Sequence, residues 1–417
     1  MAVTVRPIET DEVAAWVTSV SVPFLRPGPD DEADSEDRWR RALAGGTAWA
    51  AVDEGRFVGN CAIFPLELSL PAAPDAACPT VPMAGVTAVG VHPTHRRRGI
   101  LRSLMGAMLE AAVANGQPVA GLYASEAVIY GRFGFGTATW GTKAALVTSR
   151  SAFAVPAPSL DIRLVGADEA AKLVPPVFDR ARRNQPAEVS RTEGMWAERF
   201  LDRPAERHGR SGQFYALAET GYAIYRSDRR PDSDTAVLQV EDLCGETPED
   251  EAALWRYLLD IDLVDEVVWW LRVGGEPLLH RLADPRCVRA QTVEDLLWVR
   301  VLDVPAAFTA RGYRASGRLV VEVDPAPAGT GSGTADPAAG RWVVEAGPDG
   351  AFCRAARAGD TTDLRLGVAA LGTLLAGGAA ASVLAAAGRV REERAGAVAV
   401  ADALFNPGRV TFCTTDF

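Results

Sequence analysis

Val86-Thr87-Ala88-Val89-Gly90-Val91-His92-Pro93-Thr94-His95-Arg96-Arg97-Arg98-Gly99-Ile100-Leu101-Arg102 is the stretch on which the reading of this chain turns. Its first part belongs to an apolar run, Met83–Val91, that predicts a strand. Beyond the basic turn, Leu101, Leu104, Met105, Met108, Leu109 and Ala112 recur at helical spacing, and Asn115-Gly116 supplies a helix-ending signal. A strand, a basic turn containing glycine and a helix in direct succession suit an anion. The first helical turn has unpaired N–H donors and the positive end of the helix dipole. Gly99 lets backbone approach a phosphate closely, and Arg96, Arg97, Arg98 and Arg102 add positive charge. A pyrophosphate fits these requirements. A basic run before a helix is equally a solvated surface turn when taken alone.

Working outward, Ala48–Val52 and Arg56–Leu70 read as paired strands around the turn Asp53-Glu54-Gly55, and Val119–Tyr123 as a further strand. Residues 1–150 thus form one mixed α/β region. Residues 151–295 repeat the style. Two strands over Phe214–Tyr225 turn at Glu219-Thr220-Gly221, followed by a strand at Ala236–Leu243, a helix from Pro248 towards Leu259 and a strand at Glu266–Val273. The turn into that second helix, Glu246-Thr247-Pro248-Glu249-Asp250-Glu251, is acidic and would repel a pyrophosphate, so one cofactor site per chain is expected. Residues 296–417 open with the apolar run Leu297–Leu302. Strands follow at Arg318–Val323 and Arg341–Ala346, separated by the small-residue loop Pro325–Gly340. The uncharged segment Val368–Gly388 is weakly apolar and broken by Gly377-Gly378, which favours a packed helix pair over a membrane span.

Composition bounds the function classes. The chain has 417 residues, too many for one core, and a formal net charge of −11, which disfavours a general nucleic-acid partner and allows a cationic one. Six scattered cysteines without a CxxC pair read as free thiols of a reducing compartment. Four histidines, with only His92 and His95 close together, argue against a metal site. The N-terminal residues lack a charged-then-apolar signal pattern, and a cytoplasmic location is the expectation.

Arg-x-x-Gly after the strand Val86–Val91 resembles the acetyl-CoA motif of the GNAT acetyltransferases, with Leu101 where Gly or Ala is common. A second element lies one strand further on: Leu122-Tyr123-Ala124-Ser125-Glu126, then Ile129-Tyr130-Gly131-Arg132-Phe133-Gly134-Phe135-Gly136. With the triple-arginine turn it resembles the enhanced intracellular survival (Eis) acetyltransferase family of actinobacteria. The resemblance implies an α/β (α+β) chain: two GNAT-like mixed-sheet domains, then a sterol-carrier-protein-like α/β domain. It implies that backbone at Val89, Gly90 and Val91 pairs with the pantetheine arm of acetyl-CoA. Arg97, Arg98, Gly99, Ile100, Leu101 and Arg102 would cradle the diphosphate, and Ser125 and Glu126 would line the slot. Tyr130 would be the general acid and the carboxylate of Phe417 the base. The family forms hexamers, which sets the expectation for assembly.

Elementary chemistry agrees with these roles. Thioester aminolysis needs a neutral amine and expels a thiolate whose parent thiol has a pKa of about 8.5, while a phenol sits at about 10 and can donate to the departing sulfur. An α-carboxylate, at about 3.5, is ionised at neutral pH and can take a proton. The bland readings are a core tyrosine at 130 and a frayed terminus at 417. For the acceptor, Trp16, Phe24 and Trp39 are candidates for an aromatic pocket, and Asp416 for drawing in a cation. The acidic run Asp30, Asp31, Glu32, Asp34, Glu36 and Asp37 adds to that pull, or is simply a solvated helix start. The expected acceptor is the primary amine of a cationic small molecule, an aminoglycoside, a polyamine or a lysine side chain. The competing reading is a non-catalytic acyl-CoA or lipid-binding protein.

Overall fold

A computed structural model describes residues 3–25, 32–229, 234–328 and 335–417. Asp30 and Asp31 of the acidic run lie outside the described residues, as do the side chains of Glu32 and Asp34 and part of the 325–340 loop.

The hairpin and the strand–turn–helix predicted from the sequence form the frame of the first layer. In chain order it runs β1 (Thr4–Pro7), α1 (Val13–Ser21), α2 (Glu32–Ala42), β2 (Thr47–Asp53), β3 (Arg56–Ser69), β4 (Thr80–Val91), α3 (Ile100–Ala114), β5 (Val119–Tyr123), α4 (Ala127–Tyr130) and β6 (Gly136–Thr137). The helix α3 buries Leu104, Met105, Met108, Leu109 and Ala112 of the stripe read from the spacing, with Ile100 buried in addition and Leu101 only partly so, and is capped at Asn115. That face packs on Ile63, Ala84, Val86 and Leu122 of the sheet.

Two strands cross the limits drawn at 150 and 295. β7 (Trp140–Val147) follows β6 in the chain but pairs with Val264–Arg272 and Val288–Asp295 in the second sheet. The run Leu297–Val301 enters the first sheet between β5 and β6, with Leu297 opposite Tyr123 and Val301 opposite Val119. The first two sheets have seven strands each, the third five. The sheets therefore exchange strands, and each exchanged strand lies second from an edge, paired on both sides.

The third layer carries the strands Gly317–Asp324, Gly340–Gly347, Gly350–Ala355, Leu364–Gly367 and Val390–Glu392. The uncharged segment forms the expected short helix pair, Val368–Ala376 and Ala381–Ala386. Every residue of the first is buried, and it packs on Leu297–Val301 and β6, so the third layer is fused to the first sheet. Among the described residues no helix is long and apolar enough to cross a membrane. All six cysteines are free thiols, five of them buried.

Candidate active site

The basic turn sits at the open end of the first sheet. Arg96, Arg97, Arg98 and Arg102 are all exposed, while Ile100 is buried in the core beneath them. Gly99 is the N-cap of α3 at φ +81°, with nothing within 4 Å of where a side chain would begin. A left-handed residue is thus required at a place where an anion can meet the amides of the first helical turn. Arg97 also has positive φ, +63°. The turn is braced from behind: Asp53 accepts from Arg98 Nη1 at 3.1 Å and meets His95 Nε2 at 3.2 Å. Thr94 Oγ1 joins the two imidazoles, 2.7 Å from each Nδ1.

A slot lies beside β4, the strand that leads into the turn. The parallel ladder of β4 and β5 covers Met83–Gly85 against Val119–Gly121 and stops there. Ala88 then takes φ +52°, at a register shift of β4 against β3, and Asn60 Nδ2 donates to the Ala88 carbonyl. Beyond this bulge the strands part, leaving the β5-facing edge of β4 with backbone groups for an extended ligand arm. Thr87, Ala88 and Val89 line one side of the slot, and Leu122, Tyr123, Ser125 and Tyr130 the other. The Tyr130 ring is buried against Phe135, with centroids 6.3 Å apart. Burial pushes its phenol up from the usual value, and the nearby Ser125 side chain partly offsets this.

The slot widens into a cleft of about 860 Å³ whose far wall comes from the second layer: Arg191, Met195, Glu198, Arg199, Gln213, Arg226 and Glu241. The chain's last residues run along this wall. Phe412 and Cys413 are buried, and Thr411 Oγ1 donates to the Ala138 carbonyl at 2.7 Å. Arg191, lying against the rings of Phe178 and Trp196 at 4.1 and 4.7 Å, donates to Thr415 Oγ1 at 3.0 Å and Thr414 Oγ1 at 3.1 Å. Its counter-ion is buried Asp242, which also accepts from Tyr222 at 2.9 Å. Burial opposes the Arg191 charge, but Asp242 more than compensates and holds the guanidinium well above its usual value. Phe417 ends in the cleft, its ring edge-on to Tyr123 at 5.7 Å. A side chain at Gly85 would begin 3.3 Å from that ring and 2.4 Å from Leu66, so only glycine leaves room there.

The chain matches acetyltransferase (GNAT) domains over residues 4–138 and 187–301, and a sterol carrier protein domain over 304–414. An uncharacterized N-acetyltransferase of Streptomyces avermitilis is 37% identical over 99% of this chain and 98% of its own length. The N-acetyltransferase Eis of Mycobacterium tuberculosis is 32% identical over 84% of this chain and 83% of its own. The chain belongs to the Eis family of N-acetyltransferases. A crystal structure of Eis1 from Mycobacterium abscessus superposes with a TM-score of 0.85 at 30% identity, covering 99% of this chain and all (100%) of that one.

Within this Eis-family chain the predicted residues separate clearly. Val89, Ser125, Tyr130, Phe24, Trp39, Asp416 and Phe417 all line the one cleft. Gly90 is buried and covered by Pro23, and Val91 pairs with Gly59 of β3 at the outer end. Ile100 and Leu101 offer the anion only backbone, because their side chains pack on the core. Glu126 is exposed and is not among the cleft-lining residues. Trp16 is a correction. It is fully buried, donates from Nε1 to the Trp49 carbonyl at 3.0 Å and packs edge-on against Trp39 at 5.0 Å. It therefore supports the aromatic wall from behind and cannot touch an acceptor. The sequence reading missed the whole second-layer wall, because its arginines and glutamates carry no motif. In that layer the first turn of Pro248–Leu259 is closed by its own cap: Asp250 Oδ2 accepts from the Thr247 amide at 2.9 Å. This adds a carboxylate where an anion would otherwise bind.

Proposed function

We propose that this N-acetyltransferase moves the acetyl group of acetyl-CoA directly to a primary amine, with Tyr130 as acid and the α-carboxylate of Phe417 as base. The observation that carries the reading is convergence: Tyr130 from α4 and Phe417 from the distant end of the chain line one cleft together with Thr87, Ala88 and Val89 of β4, the strand that leads into the basic turn. The residues fit the donor. Free amides of α3 and the arginines suit a diphosphate, and the unpaired edge of β4 suits the pantetheine amides. Acetyl-CoA supplies a thioester carbonyl and a thiolate leaving group. The amine nitrogen bonds to the acetyl carbon as the C–S bond breaks. Tyr130 gives its proton to the departing sulfur, and the Phe417 carboxylate takes a proton from the attacking nitrogen.

The cleft also bears on the acceptor. Glu198 is engaged by Arg41 at 2.6 Å and Arg203 at 3.0 Å, and Glu241 by Arg226 at 2.5 Å. Asp416 is 81% exposed, with Arg199 no closer than 3.7 Å. An acceptor cation is therefore drawn to the Asp416–Phe417 end, and not along the whole wall. This supports amines of cationic small molecules, such as an aminoglycoside, a polyamine or a lysine side chain, and a hexamer is the assembly proposed with it.

Purified protein given acetyl-CoA is expected to release free thiol when these amines are supplied and not without them; no release across all three classes would remove the reading. Arg102→Ala is expected to raise the KM for acetyl-CoA roughly tenfold, the equivalent of ~1.4 kcal/mol for a charge-assisted phosphate contact, with little change in kcat. An unchanged KM for acetyl-CoA places the diphosphate elsewhere.

A further inference from the structure

We infer that Glu188, in the second layer, is the positioning residue for the chain's last carboxylate. The inference rests on the reading of Phe417 as base. The tail after Leu404 contains no regular helix or strand, so its backbone groups need partners from elsewhere. One buried side chain supplies them. Glu188 is 2% exposed, and its Oε2 accepts from the Thr414 amide and the Thr414 hydroxyl, both at 2.9 Å. Its Oε1 accepts from the Thr415 amide and the Cys413 thiol, each at 3.3 Å, and from the Val189 amide at 2.9 Å. A single carboxylate thus takes the donors of three consecutive tail residues that end two positions short of Phe417.

Glu188 is itself held by the acetyltransferase sheet. The Ser69 amide donates to its carbonyl at 2.9 Å, the Ala187 amide to the Ser69 carbonyl at 2.8 Å, and the Ser190 amide to the Glu67 carbonyl at 2.9 Å. Residues 187–190 therefore extend the free edge of β3 as a short added strand. The same β3 pairs with β4, which carries the slot. The tail's position is measured from the strand next to the proposed acetyl site through one residue: β3 to the Glu188 backbone, and the Glu188 carboxylate to the tail. The two threonine hydroxyls, tied to Arg191, fix the tail from the other side. On this inference the second layer, although without an anion-binding turn, contributes to the chemistry by registering the tail.

The test uses the full-length protein. Glu188→Gln keeps the shape but turns one acceptor oxygen into a donor that faces the tail's own N–H groups. Its kcat is expected to fall about 10²-fold, the loss associated with a misplacement on the order of 1 Å, with the KM for acetyl-CoA unchanged because the basic turn is untouched. Carboxypeptidase is expected to remove Phe417 faster from this variant than from the parent. Deleting Phe417 is expected to abolish most turnover, and Glu188→Gln in that background to add almost nothing. If the Phe417 deletion retains full kcat, the base reading falls and the inference with it. If the deletion is inactive while Glu188→Gln keeps the parental kcat and carboxypeptidase resistance, the inference alone falls; losses that simply multiply overturn it equally. Where Glu188→Gln does not yield folded protein, Thr414→Val removes the hydroxyl that donates to Glu188 and leaves the carboxylate in place. It is expected to lower kcat several-fold with unchanged KM for acetyl-CoA, and an unchanged kcat counts against the inference.

Discussion

Two glycines appended after Phe417 are expected to lower kcat by about 10²–10³ while leaving the melting temperature nearly unchanged. Each added residue carries the terminal carboxylate up to about 3.5 Å further along an extended chain, beyond hydrogen-bond reach of its former position. Loss of a positioned base costs about 10²–10⁴ in rate. Stability is insulated because the anchors lie upstream. Thr411, Phe412, Cys413, Thr414 and Thr415 carry the buried contacts, and Asp416 is largely exposed. The aromatic packing of Phe417 on Tyr123 is compatible with extension, since only its carboxyl group is modified. Thiol release under saturating acetyl-CoA, with a thermal melt of the same sample, separates the two quantities. An extended protein with parental kcat shows that the base lies elsewhere, and one that melts much lower shows that the tail's fold depends on its last carboxylate.

Tyr130→Phe is the second large effect, about 10²-fold or more in kcat with the KM for acetyl-CoA retained. The ring is 6% exposed and packs on Phe135, so phenylalanine preserves the apolar contacts. The hydroxyl meets the Ser125 side chain, which also lines the slot, so the substitution removes that one local contact together with the proton donor. The pH dependence has a definite sign. Burial disfavours the phenolate and raises the group from its usual 10, so the neutral, proton-donating form persists through the neutral and mildly alkaline range. An alkaline limb due to this residue therefore appears only above about pH 10, and kcat below that should follow the amine and the base instead. A limb near pH 8 that disappears in Tyr130→Phe contradicts this environment for Tyr130. Parental kcat in the variant removes Tyr130 from the acid role.

These predictions draw unequally on sequence and structure. The turn at Arg96–Gly99 and the stripe on α3 are local features, in which spacing along the chain is spacing in space, so both were legible directly. The hairpin of β2 and β3 falls within one or two residues of its predicted limits for the same reason. Tyr130 and Phe417 were both reached through the family resemblance, which the aromatic and glycine run around Tyr130 helps to carry. Trp16 was misread because an aromatic residue one helical turn from a pocket looks the same in sequence as one inside it; burial depends on which face of α1 meets Trp49 and Trp39.

By itself the sequence determined the α/β character of the three regions, the strand–turn–helix with its basic turn and the acidic character of the corresponding turn in the second region, because periodicity and charge within some twenty residues decide those. Only the tertiary structure decided that β7 and Leu297–Val301 trade sheets, that an acidic second layer walls the cleft with neutralised pairs, and that Glu188 holds a tail more than two hundred residues away. Strand partners and carboxylate contacts at such separations leave no periodic trace in a single chain, since they follow from which edges and donors remain unpaired after the layers have packed.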